Sequence, residues 1–257
     1  MNRTSKQAAA GLAAAAMAAG AWLSAGPPAA AGARTPAAPG RVLWGAVTIA
    51  PGQEAAVEIA GVTGSAPGRG STLTLTAPAG ARVTGLPLED SGYTGALAAS
   101  GRTASYTATT TAAEPWRDRV FPFVLAVPEG ARPGTVLKGC ALRLTDARGA
   151  ARAAGGCRVT VGLAEPTLTR PESGVPLDAR PEIAGTAHPG AQITVLDGAD
   201  TEVCSTTTGP DGRWTCTPGP PLAPGGHRIQ AAAALNGVGA VSQQIAVTVG
   251  TAATPTR

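Results

Sequence analysis

Proline and glycine divide this chain into short runs in which apolar and polar residues alternate. The 257 residues include 35 glycines and 23 prolines, and pairs such as Pro51-Gly52 and Pro133-Gly134 separate runs such as Glu54 to Ile59 and Thr72 to Thr76. Alternation with a period of two is typical of a half-buried strand, and both punctuating residues favour turns. No run after residue 40 has the period and length of a convincing helix. We therefore predict an all-β protein made of short antiparallel strands.

The N-terminal segment 1–33 has the pattern of a secretory signal. Arg3 and Lys6 precede an uncharged, alanine-rich stretch over 8–25, and Ala31-Gly32-Ala33 forms an A-x-A cleavage site. An uncleaved membrane anchor is the competing interpretation, because the apolar run approaches spanning length. Alanine and glycine partition weakly into lipid, and Pro27-Pro28 follow at once, so we favour cleavage. The sequence thus predicts a secreted, extracellular protein that has no membrane association after cleavage.

The charge balance gives no indication of a nucleic-acid partner. Twenty Lys and Arg residues stand against 16 Asp and Glu residues, a formal net charge of +4. Loss of Arg3 and Lys6 with the signal leaves 18 − 16 = +2. Because no cluster of basic residues occurs along the sequence, we expect no binding to nucleic acid.

Four cysteines fall into two local pairs, Cys140 with Cys157 and Cys204 with Cys216. Four cysteines allow three connectivities, and proximity in an oxidising compartment favours the local one. The turn residues of 209–212 place Cys204 opposite Cys216 if the flanking runs form one hairpin. A hairpin centred at 148–149 places Cys140 opposite Cys157. A zinc site would need C-x-x-C spacing or partnering histidines, and the sequence offers neither. Asp197 and Asp200 beside a glycine could hold calcium, but turn chemistry explains them at lower cost, so we predict no cofactor and no metal.

Composition shifts divide the chain into six segments. They are a signal peptide at 1–33, a disordered leader at 34–40, a β-sandwich domain at 41–163, a linker at 164–180, a second sandwich domain at 181–249 and a disordered tail at 250–257. The expected fold is therefore two antiparallel β-sandwich domains in tandem. Predicted strands of the first domain are Val42 to Ile49, Glu54 to Ile59, Thr72 to Thr76, Tyr93 to Leu97, Thr103 to Thr110, Val120 to Val127, Gly134 to Thr145 and Cys157 to Val161.

The second domain carries a set of recurring turn landmarks. They are Gly185-Thr186, Pro189-Gly190-Ala191, Asp197-Gly198, Asp211-Gly212-x-Trp214 and Gly226-His227. With these residues the segment resembles the bacterial Ig-like domain family of secreted and surface proteins. The resemblance implies a binding or structural role. The period-two positions expected to face its core are Ile183, Ile193, Val195, Val203, Trp214, Ile229, Ala231, Ile245, Val247 and Val249.

The sequence offers little that indicates catalysis. It contains neither the G-x-S-x-G pattern of a nucleophile elbow nor the H-E-x-x-H pattern of a metalloprotease. Glu89-Asp90, or Asp197 with Asp200, are the candidates for a carboxylate pair, but turn chemistry explains both sets. We predict that the protein is not an enzyme and keep a hydrolase as a third hypothesis.

Sugar binding by an exposed aromatic residue is the main alternative to a purely structural role. Trp214, Phe121 and Phe123 are assigned to cores, whereas Trp116 lies in the polar run 114–118 and is the candidate ligand platform. We predict a secreted, non-catalytic Ig-like module for extracellular binding, adhesion or structure. The alternative is a carbohydrate-binding module at a cell wall or polysaccharide. We expect the partner to be an extracellular protein or a cell-surface polysaccharide, and the sequence does not identify it.

Overall fold

A computed structural model of the chain describes residues 41–61, 67–88, 91–172 and 174–250. Every regular element in these ranges is a β-strand, which confirms the all-β prediction. No helix with the length and apolarity of a membrane span occurs among them. The predicted signal at 1–33, the leader at 34–40 and residues 251–257 of the predicted tail lie outside the described residues.

The described ranges contain nineteen strands. Those of the first sandwich are β1 (Arg41–Ile49), β2 (Glu54–Ile59), β3 (Thr72–Thr76), β4 (Arg82–Gly85), β5 (Tyr93–Leu97), β6 (Thr103–Ala108), β7 (Phe121–Ala126), β8 (Val136–Leu137), β9 (Ala141–Thr145) and β10 (Ala151–Val161). Those of the second are β11 (Thr167–Arg170), β12 (Pro176–Leu177), β13 (Ile183–Thr186), β14 (Gln192–Asp197), β15 (Glu202–Thr207), β16 (Arg213–Cys216), β17 (Gly225–Leu235), β18 (Val238–Val241) and β19 (Ile245–Val249).

The first sandwich packs a seven-stranded sheet on a three-stranded one. The larger sheet has the order β1-β10-β9-β3-β6-β5, with β8 also pairing β10, and the smaller sheet has the order β2-β7-β4. Strand β1 is parallel to β10, and every other pair is antiparallel. The alternating runs place one set of side chains between the sheets, such as Leu73 and Leu75 of β3, which are fully buried.

The second sandwich repeats this plan with fewer strands. One sheet has the order β11-β13-β16, and the other has the order β12-β19-β17-β14-β15, with β18 also pairing β17. Again the first strand of the larger sheet, β12, lies parallel to the last, β19. Nine of the ten core positions predicted from the sequence are buried, and the tenth, Ile245, is half-buried against the same cluster. This is the two-sheet architecture of an Ig-like domain.

The predicted linker at 164–180 is wrong, because this segment forms the first strands of the second sandwich. Strand β11 pairs β13 in one sheet, and β12 pairs β19 in the other. Short edge strands tolerate proline, so the prolines that indicated a linker are compatible with strand pairing. The connection between the sandwiches is residues 162–166, and Leu163 within it packs into the second core.

The Cys204–Cys216 disulfide forms as predicted, but the hairpin invoked for it is wrong. Among the described strands, β15 pairs only with β14, and β16 pairs only with β13, so the two cysteines belong to different sheets. Residues 209–212 do form a turn, in which Gly212 N donates to Gly209 O at 3.0 Å. The two strands belong to different sheets because this arrangement buries Val203 and Trp214 in the core from opposite sides. The bond therefore links two edge strands across the open side of the sandwich.

The Cys140–Cys157 disulfide and its predicted register are both confirmed. Strands β9 and β10 form a hairpin in which Leu142 faces Gly155, and continuing that register sets Cys140 opposite Cys157. Other details differ from the sequence prediction: β4 was not anticipated, the run 134–145 is split into β8 and β9, and β10 begins at Ala151 rather than at Cys157.

Candidate binding face of the seven-stranded sheet

The side of the seven-stranded sheet that points away from the core is the candidate functional site. Alternation along each strand decides its composition, because every second residue points outward. We call it the outer face, and its residues are Val42, Trp44, Ala46, Thr48, Thr72, Thr74, Thr76, Thr94, Ala96, Thr103, Ser105, Thr107, Ala141, Arg143, Thr145, Ala154, Gly156, Arg158 and Thr160. No Asp or Glu is among these residues.

Rows of hydroxyl groups cross the outer face. Strand pairing aligns Thr94, Thr107, Thr72 and Thr145 in one row across β5, β6, β3 and β9. The hydroxyls of Thr72 and Thr107 lie 3.0 Å apart, which is hydrogen-bonding distance. Threonine suits these positions because its β-branched stem fits a pleated surface while its hydroxyl stays available. This part of the face therefore presents hydrogen-bonding groups at the regular spacing of the strands.

Trp44 is the large exposed aromatic residue of the outer face. It is 59% exposed, and Val42, two residues earlier on the same side of β1, is 67% exposed. Their neighbours on β10 are Gly156 and Ala154, which carry a hydrogen atom and a methyl group as side chains. Because no tall side chain stands beside Trp44 on β10, its indole ring is open to a ligand from that side. Exposed apolar side chains set side by side are typical of interaction sites.

Two arginines complete the outer face. Arg158 lies on β10, one strand from Trp44 and two residues further along, and Arg143 lies on β9 opposite Ala154. Both side chains are exposed. The ion pairs of the described residues involve Arg117, Arg152 and Arg170 instead. The two guanidinium groups are therefore available to an external anion.

A depression of about 410 Å³ adjoins this face at the turn between β9 and β10. It is lined by three arginines, Arg69, Arg148 and Arg152, and by Asp146. Arg152 donates from Nε and Nη2 to Asp146 Oδ2 at 2.9 and 2.5 Å, and this contact is the main reason why the pKa of Asp146 is lowered. The backbone N–H of Ala150 donates to the same carboxylate and lowers the pKa further. Because Asp146 is already paired with Arg152, the other two arginines give the depression a net positive charge.

The structure contradicts the prediction that Trp116 is an exposed ligand platform. Its side chain is fully buried, with ring centroids 5.3 Å from Tyr93 and 4.8 Å from Phe121. Its indole Nε1 donates to Ser71 Oγ at 2.6 Å, which satisfies the one polar atom of the ring. The charged residues around it indicated a surface loop, but the loop folds over the open end of the sandwich. Phe121 and Phe123 are buried as predicted.

The sequence contains a signal that places Trp44 on the outer face. Strand β1 was predicted, and a period of two along it separates Leu43, Val47 and Ile49 from Val42 and Trp44. That parity alone places Trp44 outside. The proximity of Arg143 and Arg158 to Trp44 could not be found in this way, because it depends on the parallel pairing of β1 with a strand more than 100 residues later.

The carboxylate candidates of the sequence do not form a cluster in the described residues. Asp197 Oδ1 accepts hydrogen bonds from the backbone N–H groups of Thr201 at 2.9 Å and Ala199 at 2.8 Å, and these lower the pKa of Asp197. Its side chain therefore stabilises the turn between β14 and β15. Glu89 and Asp90 lie outside the described residues. Within the described part of the chain, no three His, Cys, Asp or Glu residues are placed to hold a metal ion.

Comparisons with known proteins give only distant similarities. No family model and no curated protein matches the chain. One similar solved structure is the BSP domain of a biofilm-associated protein, with 16% identity and a TM-score of 0.29 over 82% of this chain and 30% of that chain. Another is the C-terminal domain of the Streptococcus agalactiae AgI/II polypeptide BspA, with 11% identity and a TM-score of 0.29 over 81% of this chain and 95% of that one.

A third similar structure is the tandem Ig repeats of Dlar, with 13% identity and a TM-score of 0.23 over 81% of this chain and 95% of that one. This chain spans only 30% of the length of the biofilm-associated structure. Because all three TM-scores are low, the fold assignment depends on the strand order described above, and no function is taken from these structures.

Proposed function

We propose that this protein is a secreted, non-catalytic module that binds an extracellular partner through the outer face. The observation that carries the proposal is Trp44, which is 59% exposed beside Val42, itself 67% exposed, so that the two form an apolar patch on the outer face. Tryptophan is enriched at binding sites because it offers a large rigid contact area and one hydrogen-bond donor. Val42 enlarges the apolar contact, and the threonine row on β9, β3, β6 and β5 offers polar contacts further across the same face.

Two further features support an extracellular setting. Both pairs of cysteines form disulfides, which persist in oxidising compartments and are rare in the cytosol. The N-terminal residues have the composition of a secretory signal. We also propose that the second sandwich belongs to the bacterial Ig-like family, on the strength of the turn landmarks quoted above.

Retention on cells tests the binding proposal. Purified protein is incubated with intact cells and with cell-wall fractions of the producing organism, and the bound fraction is measured for wild type, Trp44→Ala and Val241→Ala. Val241 is 51% exposed on the second sandwich and serves as the matched control. We expect wild type and Val241→Ala to be retained and Trp44→Ala to be released. Equal retention of all three proteins would contradict the proposal.

Carbohydrate binding is the second candidate function, and Trp44 also favours it. Flat aromatic rings bind the apolar faces of sugars, and the hydroxyl row on β9, β3, β6 and β5, further across the same face, offers hydrogen bonds to the sugar edges of an extended polysaccharide. A glycan array probed with wild type and Trp44→Ala separates this candidate from protein binding. Signals that disappear in the variant support it, and no signal from wild type on any glycan would remove it.

A further inference from the structure

We propose that the ligand of the outer face is an acidic polysaccharide, whose sugar ring stacks on Trp44 and whose carboxylates pair with Arg143 and Arg158. This inference depends on the proposed function, because it names the class of partner for the same face. Its basis is the combination of three chemistries on one sheet surface: an aromatic ring, guanidinium groups and rows of hydroxyls.

Charge complementarity is the first argument. The outer face carries two arginines and no acidic residue, although the chain as a whole holds 16 Asp and Glu residues. An arginine guanidinium matches a carboxylate geometrically and can form two parallel hydrogen bonds with it. A neutral polysaccharide would leave both groups without a partner in the complex. The face is therefore matched to a polymer that carries negative charge.

The spacing of the groups is the second argument. Trp44 and Arg158 are diagonal neighbours on adjacent strands, a separation that long side chains bridge. Arg143 lies two strands away from β1, on the far side of β10. Two steps at the usual strand separation amount to roughly 10 Å, and because Arg143 is level with Val42, its backbone lies roughly 12 Å from that of Trp44. Gly156 and Ala154 form a low floor between the three side chains. A ring resting on Trp44 therefore lies within reach of both cations.

The depression beside the face is the third argument. Arg152 is neutralised by Asp146, whereas Arg69 and Arg148 form no ion pair within the described part of the chain. Arg152 precedes Gly156 on the same strand, β10, so the depression lies further along the strand that borders Trp44. The positively charged surface thus continues along β10 beyond Trp44 and Arg143, where an extended polyanion could follow it.

Binding measurements with three polymers separate ring stacking from charge. The full chain is titrated by affinity electrophoresis with polygalacturonate, which has sugar rings and carboxylates, with dextran, which has rings alone, and with poly-L-glutamate, which has carboxylates alone. We expect polygalacturonate to bind at least about tenfold more tightly than either control polymer, a difference of about 1.4 kcal/mol. Because exposed charges are screened by salt, this binding should weaken as NaCl is raised.

Variants locate the site. Trp44→Ala and the double variant Arg143→Ala with Arg158→Ala should each weaken polygalacturonate binding by about tenfold or more. Arg228→Ala is the matched control, because Arg228 is an exposed arginine on a strand of the second sandwich, and it should bind like wild type. All these positions are exposed, so the melting temperatures of the variants should match that of wild type, which makes the binding data interpretable.

Each other outcome overturns the inference in a recognisable way. Equal binding of dextran, lost in Trp44→Ala, would keep the binding face and exclude the acidic class. Equal binding of poly-L-glutamate, unaffected by Trp44→Ala, would reduce the interaction to charge alone. If Trp44 is needed for retention on cells while polygalacturonate does not bind, the proposed function stands and the ligand class is wrong. If neither experiment depends on Trp44, both fail.

Discussion

Replacement of Trp116 by alanine should severely destabilise the first sandwich. The side chain is fully buried and packs against Tyr93 and Phe121, and its indole N–H is bonded to Ser71. The substitution removes a bicyclic ring, two aromatic contacts and the partner of a buried hydroxyl. The rings of Tyr93 and Phe121 that pack against it are themselves buried, so they have little freedom to move into the space.

The expected loss follows from the size of the buried group. Burial of a tryptophan removes about 150–250 Å² from water, which at about 25 cal/mol per Å² gives an upper bound of about 4–6 kcal/mol. Measured costs for Phe or Trp to Ala in cores are about 3–5 kcal/mol, and we predict a loss in that range. Trp116→Phe restores most of the packing but removes the hydrogen bond that Ser71 Oγ accepts. Because Ser71 Oγ still donates to Gly68 O, this variant should cost about 0.5–1.5 kcal/mol.

Urea unfolding followed by far-ultraviolet circular dichroism measures both effects, with Trp44→Ala as the control. Trp44 is exposed, and surface substitutions away from special features change stability by about 0.5 kcal/mol or less. The order of midpoints should therefore be wild type and Trp44→Ala, then Trp116→Phe, then Trp116→Ala. If Trp116→Ala costs less than about 1 kcal/mol, or if Trp44→Ala costs more than Trp116→Ala, the placement of the two tryptophans is refuted.

Three further predictions test other parts of the structure. Gly155→Ala should destabilise the first sandwich by about 1–3 kcal/mol in urea unfolding, because an added Cβ would stand 1.7 Å from the carbonyl oxygen of Leu43 and would force β1 away from β10. An unchanged midpoint would show that this parallel pair is absent. Replacing Cys204 and Cys216 together by serine should cost about 2–5 kcal/mol, because the bond joins two sheets and closes a loop with a sequence separation of 12. A double variant as stable as wild type would contradict the cross-sheet role. The pKa of Asp146 is lowered on folding, so its stabilising effect is complete above about pH 3.9 and is lost as the pH falls through the lower folded value. Its carboxyl resonance in an NMR titration should move at a pH below that of an unfolded Asp, and titration at or above the unfolded value would be the contrary result.

Local pattern was sufficient to predict most strands and much of the core. Alternation found β2, β3 and β5 with their observed bounds. The hairpin centred at 148–149 gave the correct pairing of Cys140 with Cys157, although a register shift between Ala151 and Ala153 lies between that turn and the cysteines. These features depend on residues close together in the sequence. The period-two rule works for them because each strand has one face in a core and one in solvent.

Sheet membership could not be predicted in the same way. Residues on both sides of the 209–212 turn have all the marks of a hairpin, yet each strand finds its partner elsewhere, β15 on β14 and β16 on β13. The choice depends on which arrangement buries Val203 and Trp214 together, and that is a property of the whole sandwich. The strands β11 and β12 escaped detection because two- to four-residue edge strands leave almost no periodic signal.

The candidate site illustrates the same limit. Trp116 looked exposed because its neighbours in sequence are charged, while the hydroxyl that satisfies its indole belongs to Ser71, 45 residues earlier. Trp44 looked ordinary, while the arginines that give it a context lie far along the chain, on β9 and β10. Contacts between residues so far apart in the sequence depend on which strands pair in the folded protein. The residues that surround each tryptophan in the sequence do not reveal them.

Oxidative footprinting of the tryptophans, read by mass spectrometry with and without polygalacturonate, tests the central claim most directly. In the free protein we predict rapid oxidation of Trp44 and protection of Trp116 and Trp214, which are 0% and 4% exposed. Added polygalacturonate should protect Trp44 and leave the other two unchanged. Oxidation of Trp116 as fast as that of Trp44, or a Trp44 rate that saturating polymer does not alter, would contradict the account.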